Sequence, residues 1–470
     1  MQVMWPRMMA NKWLRLKSGG DKFKSDAEDE AADALLFNGV PPLDKMAKCS
    51  PTLLRGQSET LWMECVDKFN YRMFVGTWNV GGRTPRDSLD LEDWLNARES
   101  CDIFVIGLQE IVPLKAGKVL GTENSRAADE WDALIRGVLN ERAAPENTFI
   151  SKSASVPLSD GKESLDRQWS TEDAQSIDKL NLDGPWSERK RFIRVASKQM
   201  VGIFITVWVK SEVRHHIRDL KVSCVGCGIM GCLGNKGSVS VSLSLHQTSF
   251  CFVCTHLASG QKQGDEIRRN FDVAEILKRT RFPRDAKSGL ELPQTIEGHD
   301  RIIWFGDLNY RLTIAESEAK SLILQKDWKT LQLSDQLQRE KNAGRVFEGW
   351  QEGHLDFAPT YKYAAHSDKY CGTQDKPGGK RRVPAWCDRI LWYGKGMKQL
   401  SYERAESRFS DHRPVSAIFV TELEAISKRK LKKKLSLSVS FKILQAQDML
   451  SEHALSIEST AQQEAIPSLS

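Results

Sequence analysis

The chain has 470 residues, of which 40% are hydrophobic and 28% charged, a composition that fits a globular protein with a buried core and excludes a collagen-like or low-complexity chain. A net charge of +6 with a pI near 8.7 is too mild to nominate nucleic acid as a partner, although it suits polyanionic substrates. No apolar run approaches the roughly 18 residues that a membrane-crossing helix needs.

In chain order, residues 1–68 mix basic, acidic and Pro-Pro segments and read as an N-terminal extension, with a short helix near Asn11–Lys17. Trp5 and Trp13, with nearby Arg and Lys, suit either peripheral contact with a membrane surface or docking on the domain. The start lacks the unbroken apolar run of a secretory leader, so an intracellular, cytoplasmic location with free thiols is expected.

Strand-like runs then recur at Met73–Trp78, Ile103–Leu108, Met200–Val209, Ser238–Leu245, Phe250–Thr255, Ile302–Phe305, Arg389–Trp392 and Val415–Val420. Helical spacing of Leu and Ile appears at Leu89–Ala97 and Glu266–Arg279. Mixed strands and helices predict one α/β layered domain over residues 69–421. Residues 142–190, polar and rich in Ser, Asp and Glu, read as an inserted, disordered loop. Residues 422–470 read as a basic tail. Lys428–Lys434 packs six positive charges into seven residues, a run that suits anionic lipid, nucleic acid, a nuclear import receptor or plain solvation.

Ten cysteines are scattered along the chain, and the pairs Cys224-x2-Cys227 and Cys251-x2-Cys254 raise the question of zinc. The second pair lies within the strand-like Phe250–Thr255. Residues three apart on a strand point to opposite faces, so these thiols are expected to be small buried hydrophobes.

The chemistry gathers where strand-like runs end in polar groups. Gly76-Thr-Trp-Asn-Val-Gly-Gly82 ends at Asn79, and Phe104-Val-Ile-Gly-Leu-Gln-Glu110 ends at Gln109 and Glu110. A carboxylate and an amide oxygen make a sensible shell for Mg²⁺, which prefers oxygen ligands. Cys254-Thr-His-Leu-Ala-Ser-Gly260 ends at His256, an imidazole suited to acid or phosphate-binding work near neutral pH. Asp307 and Asn309 alternate with Leu308 and can face one side, and the last runs supply Asp388, Asp411 and His412. No Cys-x5-Arg signature of a cysteine-dependent phosphatase accompanies these runs.

These runs, with Gly231-Cys-Leu-Gly-Asn-Lys-Gly-Ser238, Trp304-Phe-Gly-Asp-Leu-Asn-Tyr-Arg311, Pro359-Thr-Tyr-Lys-Tyr363, Pro384–Leu391 and Ser410–Val415, resemble the inositol polyphosphate 5-phosphatases, in particular the plant type I members, over roughly residues 70–420. The resemblance implies a four-layer α/β/β/α sandwich of the endonuclease/exonuclease/phosphatase type. It also implies Mg²⁺-dependent removal of the 5-phosphate from phosphoinositide lipids or soluble inositol phosphates. By the same resemblance, Glu110 is the main metal ligand with Asn79 beside it. Asp307 orients or deprotonates water, Asn309 donates to the phosphoryl oxygens, and His412 contacts phosphate with Asp388 as its orienting partner. Asp411 is a further carboxylate of the metal shell and His256 a second imidazole. Tyr361, Lys362, Lys380 and Arg382 match positions that hold the neighbouring 4-phosphate, and Asn235 and Lys236 lie on a glycine-flanked turn near the site. A nuclease of the same fold and a non-catalytic phosphoinositide-binding adaptor are the competing readings; no nucleic-acid partner is expected.

Overall fold

The computed structural model describes residues 65–85, 89–95, 101–113, 126–140, 191–228, 231, 233–284, 292–371, 382–427, 429–430 and 433. The expected helix near Asn11, the inserted loop at 142–190 and Lys380 lie outside them.

Two six-stranded sheets form the body. The first joins β1 (Val66–Asn79), β2 (Ile103–Gln109), β3 (Phe192–Met200), β4 (Ile203–Lys210), β11 (Met397–Arg404) and β12 (Val415–Ile426) in the order β11-β12-β1-β2-β4-β3. The second joins β5 (Ile217–Gly226), β6 (Gly237–Leu245), β7 (Thr248–His256), β8 (Arg301–Asp307), β9 (Gln351–Glu352) and β10 (Asp388–Tyr393) in the order β5-β6-β7-β8-β10-β9. Central strands such as β2, β6 and β8 are buried along their whole length. Both faces of each sheet are covered, which is why β2 and β8 read as nearly continuous apolar runs, whereas β6, equally buried, alternates Ser with Val and Leu.

Val75, Val105, Ile205, Val241, Phe252, Phe305, Ile390 and Phe419 fill the space between the sheets. Each such side chain stabilises the fold by roughly 1.5–3 kcal/mol. Outside the first sheet, Trp94 of α1 (Glu92–Leu95) and Trp131 and Ile135 of α2 (Arg126–Asn140) cover Trp78, Phe104 and Trp208. Outside the second, Val273 and Ile276 of α3 (Asp265–Arg279) cover Val253, Ile302 and Trp304. Three short helices, α4 (Glu316–Leu324), α5 (Trp328–Gln332) and α6 (Gln336–Asn342), follow β8. Asp327 and Asp335 cap α5 and α6 by accepting from the backbone N–H groups of Thr330 and Gln338. The layers are therefore helix, sheet, sheet, helix, the sandwich that the resemblance implies.

Three expectations are corrected. The run Met200–Val209 is not one strand, because the chain reverses at Val201-Gly202, where Val201 takes a φ of +54°. Within the described residues, the helix expected at Leu89–Ala97 is confined to Glu92–Leu95. The domain edges expected at 69 and 421 fall inside a continuous antiparallel ladder from Val66↔Ile426 to Thr77↔Val415. Lys430, from the basic run, adds an ion pair to Asp67 at 2.7 Å at the far end of that ladder.

At that far end a histidine stack closes the sandwich. His246, in the β6–β7 turn, has its Nε2 2.7 Å from the Tyr71 hydroxyl, and its ring lies 4.2 Å from His216 and 5.0 Å from Phe69. Cys251 and Cys254 are fully buried on β7. Burial pushes the Cys254 thiol up to about 12, as expected of a small hydrophobe rather than a zinc ligand.

Candidate active site at the strand ends

Strand register builds the site. β7 and β8 run parallel and β10 antiparallel to β8, which sets His256 opposite Asp307 and Asp307 opposite Asp388 in one row. All three are buried. In the other sheet, β1 and β2 run parallel and end with Asn79 opposite Gln109. Val415, the first residue of β12, lies opposite Thr77, so Ser410, Asp411 and His412 arrive at the same pole. The Trp78 indole donates to the His412 carbonyl at 3.1 Å and the Ser410 hydroxyl to the Asn79 carbonyl at 2.7 Å, which pins the run to β1. Gly306 has no substitute: at φ +142° a Cβ would stand 2.0 Å from the Thr255 carbonyl oxygen.

Asn79 spans the two sheets. Its Nδ2 donates to Asp307 Oδ2 at 2.9 Å and to Glu110 Oε1 at 3.3 Å, while its Oδ1 accepts from the Gly81 amide at 3.0 Å. His256 Nε2 faces Asp307 Oδ2 at 3.2 Å and Glu110 Oε1 at 3.8 Å, and it also contacts the half-buried Lys236 ammonium. His412 Nδ1 lies 2.9 Å from Asp388 Oδ2, which also accepts from the Thr360 hydroxyl at 2.6 Å. Asp388 is thus bonded on one oxygen to both His412 and Thr360.

Electrostatics divide these groups. Burial opposes ionisation of Asp307, but His256, His412 and Lys236 together hold its carboxyl well below the usual carboxylate range. Burial also opposes charge on His412, yet the Asp388 carboxylate, helped by Asp307 and Asp411, lifts its imidazole to about 9. His256 is pushed down by burial and then by Lys236, and burial brings Lys236 itself down to about 8. The two imidazoles that face Asp307 are thus tuned in opposite directions, His412 up and His256 down.

Donor atoms of Asp307, Asp388 and His412 lie within 4.8 Å of one another. Asp388 Oδ1 is buried without a hydrogen-bond partner among the described residues. Glu110 stands one Asn79 bond away. The Asp307 and Asp388 carboxylates, the latter with its spare buried Oδ1, fit a hard divalent cation.

Other expected residues fall differently. Asp411, expected in the metal shell, forms an ion pair with Lys362, each side chain about one-third exposed at 30% and 32%. Asn309 Nδ2 donates to the Leu257 carbonyl at 3.2 Å. Asn235 packs against Gly228, where a Cβ would stand 2.0 Å from its Oδ1. Tyr361 pairs with both Ala385 and His412, which brings the half-buried Arg382, three residues ahead of Ala385, toward the same loop. Arg389 points away: it is buried against Asp335 and Glu352 and serves the fold rather than a substrate.

Residues 76–418 match the family described as endonuclease/exonuclease/phosphatase family 2. Type I inositol polyphosphate 5-phosphatase 8 of Arabidopsis thaliana is 47% identical over 89% of this chain and 86% of its own length. Type IV inositol polyphosphate 5-phosphatase 9 of the same plant is 46% identical over 89% of this chain and 92% of its own. The chain belongs to the inositol polyphosphate 5-phosphatases. It is a phosphoric monoester hydrolase of a fold that works with a divalent cation.

A solved structure agrees with this 5-phosphatase. The crystal structure of the inositol polyphosphate 5-phosphatase domain of SPsynaptojanin in complex with inositol (1,4)-bisphosphate and calcium ion superposes with a TM-score of 0.61 at 25% identity, covering 84% of this chain and 97% of that one. Sequence reasoning passed over two residues of the 5-phosphatase site, Thr360 and Arg311. Both sit inside runs already singled out, Pro359–Tyr363 and Trp304–Arg311, but nothing in the spacing says that a Thr hydroxyl braces Asp388 or that an Arg turns inward.

Proposed function

We propose that this enzyme hydrolyses the 5-phosphate of inositol rings that carry a neighbouring 4-phosphate, whether soluble or in phosphoinositide lipid head groups, with Mg²⁺ as the cation. The observation that carries the reading is the single row His256, Asp307, Asp388, faced across the sheets by Asn79 and His412. When bound, the cation supplies charge neutralisation on the phosphoryl oxygens and a polarised water.

Asp307, held ionised, accepts a hydrogen bond from the attacking water, and the Asn79 amide fixes the direction of its Oδ2. Water adds to phosphorus as the bond to the ring oxygen breaks in line, so positioning and charge stabilisation carry most of the barrier lowering. The His412 imidazolium, oriented by Asp388, donates to a phosphoryl oxygen or to the leaving oxygen. Glu110 and Asp388 would hold the cation through carboxylate oxygens. Lys362 and Arg382 hold the 4-phosphate, Arg through paired bonds and Lys as a point charge.

The test is phosphate release by the purified protein in Mg²⁺ from inositol 1,4,5-trisphosphate in solution and from phosphatidylinositol 4,5-bisphosphate in vesicles. Release from either, with the 4-phosphate retained, supports the proposal, and the ratio ranks the two sources. No release from both, or nicking of duplex DNA instead, sinks it.

A further inference from the structure

Arg311, the last residue of the Trp304–Arg311 run, is only 4% exposed although it carries a full charge. Its Nε donates to the Asn309 carbonyl at 3.0 Å, and its Nη2 contacts Asn309 Oδ1. The guanidinium carbon lies 4.4 Å from the centre of the Tyr361 ring, and that ring lies 4.6 Å from the His412 ring. The backbone of Arg311 is fixed as well: its N–H donates to Gln336 Oε1 at 2.9 Å, and the Gln336 N–H donates back to its carbonyl at 2.9 Å. Arg269 holds that same Gln336 oxygen at 2.7 Å. Burying a guanidinium costs free energy unless its partners are set for it; here Nε and Nη2 reach Asn309 and the plane reaches Tyr361, while Nη1 is buried with no hydrogen-bond partner among the described residues.

The consequence lies in the Asn309 amide. A side-chain amide has one acceptor end and one donor end of nearly equal shape, and a guanidinium can only donate. Arg311 therefore selects the oxygen end of Asn309, and the Leu257 carbonyl, 3.2 Å from Nδ2, selects the nitrogen end. Both selections agree. One Nδ2 hydrogen serves Leu257, and the second is left to serve a phosphoryl oxygen. Asn309 holds this pose at a left-handed φ of +56°, with its N–H bonded to Asp307 Oδ1 at 3.1 Å.

We propose that Arg311 is a positioning residue that fixes the donor orientation of Asn309 and, through its stack on Tyr361, ties the water-activating turn at Asp307 to the 4-phosphate-binding loop at Tyr361-Lys362. The proposal deepens the 5-phosphatase reading and rests on it. Lys cannot grip both Asn309 oxygens and stack flat on a ring. Arg311→Lys therefore lowers kcat by ~100-fold, the scale of a misplaced reacting group, with KM nearly unchanged. Asn309→Ala lowers kcat similarly, and the double variant falls no further than Asn309→Ala alone, because both remove one donor.

Losses that multiply in the double variant, or a loss confined to KM, overturn the proposal. Should Arg311→Lys fail to fold, Asn309→Ala and Tyr361→Leu, singly and together, read the same linkage, and kcat effects that simply multiply overturn it. The side-chain amide protons of Asn309, assigned by their disappearance in Asn309→Ala, give a readout independent of turnover. They exchange slowly with solvent in the wild-type protein and fast in Arg311→Lys; equal exchange in the two proteins overturns the proposal. A wild-type protein that releases no phosphate but shows the amide effect sinks the functional reading and leaves the linkage standing.

Discussion

Two buried histidines at opposite poles of one sandwich are tuned in opposite directions. His412, at the site pole, is lifted to about 9 against its own burial because Asp388, Asp307 and Asp411 surround it. His246, at the far pole, is pushed down to about 4 by burial and then by His216, Arg218 and His215. Both rings are more than nine-tenths buried. Burial alone thus does not decide the charge of an imidazole; the sign of the neighbours does. The site pole gathers carboxylates around its imidazole, and the far pole gathers rings and an arginine.

The largest effect expected from breaking this contrast is at Asp307. Asp307→Asn keeps the shape of the row but removes its ionised oxygen, and phosphate release is expected to fall by ~10³-fold or more, with the thermal midpoint little changed. A rate within tenfold of wild type would show that the carboxylate row is not where water is activated.

His412→Gln comes next, with an expected loss of about 10²-fold in kcat. The same variant tests the sign of the tuning. Because its folded value lies above its ordinary value near 6.5, the His412–Asp388 pair contributes its full stability below about pH 6.5 and loses it as pH rises through about 9. Thermal midpoints of chelator-treated protein should therefore decline over that alkaline window in wild type and decline less in His412→Gln. Parallel curves would contradict the assignment.

Sharpening the substrate side, Lys362→Ala combined with Arg382→Ala should cost at least roughly tenfold in preference for rings with a 4-phosphate, since each lost charged hydrogen bond is on that scale. Asp411 makes this a stringent test, since removing Lys362 also frees its carboxylate. Unchanged selectivity would move the 4-phosphate elsewhere.

The smallest effect belongs to the far pole. His246→Asn keeps a residue tolerant of the left-handed backbone at φ +55° and removes the proton-binding ring. A group depressed to about 4 contributes stability in full above about pH 6.5 and loses it as pH falls toward 4. Midpoints below pH 6 should therefore fall less steeply in His246→Asn than in wild type, while phosphate release at neutral pH stays the same. Lost turnover in this variant would mean that the two poles are not independent.

Part of the site pole was legible because β7 and β8 are apolar runs that stop on His256 and Asp307, and register then aligns the stops. Asp388 opens β10 instead and was placed by the family resemblance. What stayed hidden depends on side chains meeting across sequence distance. The pairing of Asp411 with Lys362 joins two residues, both foreseen, in a contact that periodicity does not encode. Nothing in the strand-like run Arg389–Trp392 says that its leading charge is buried between Asp335 and Glu352. The β3–β4 reversal was missed because Val201, a β-branched residue, occupies a conformation usually signalled by Gly or Asn.

The ladder that joins Val66 to Ile426 fixes how the enzyme can be held. Val66 and Ile426 lie side by side at the pole away from Asp307, and Lys430 is fastened there to Asp67. A tether built on either end grips the molecule by its heel, so that whatever surface it is moored to, the catalytic mouth is the part left free to swing toward incoming phosphate.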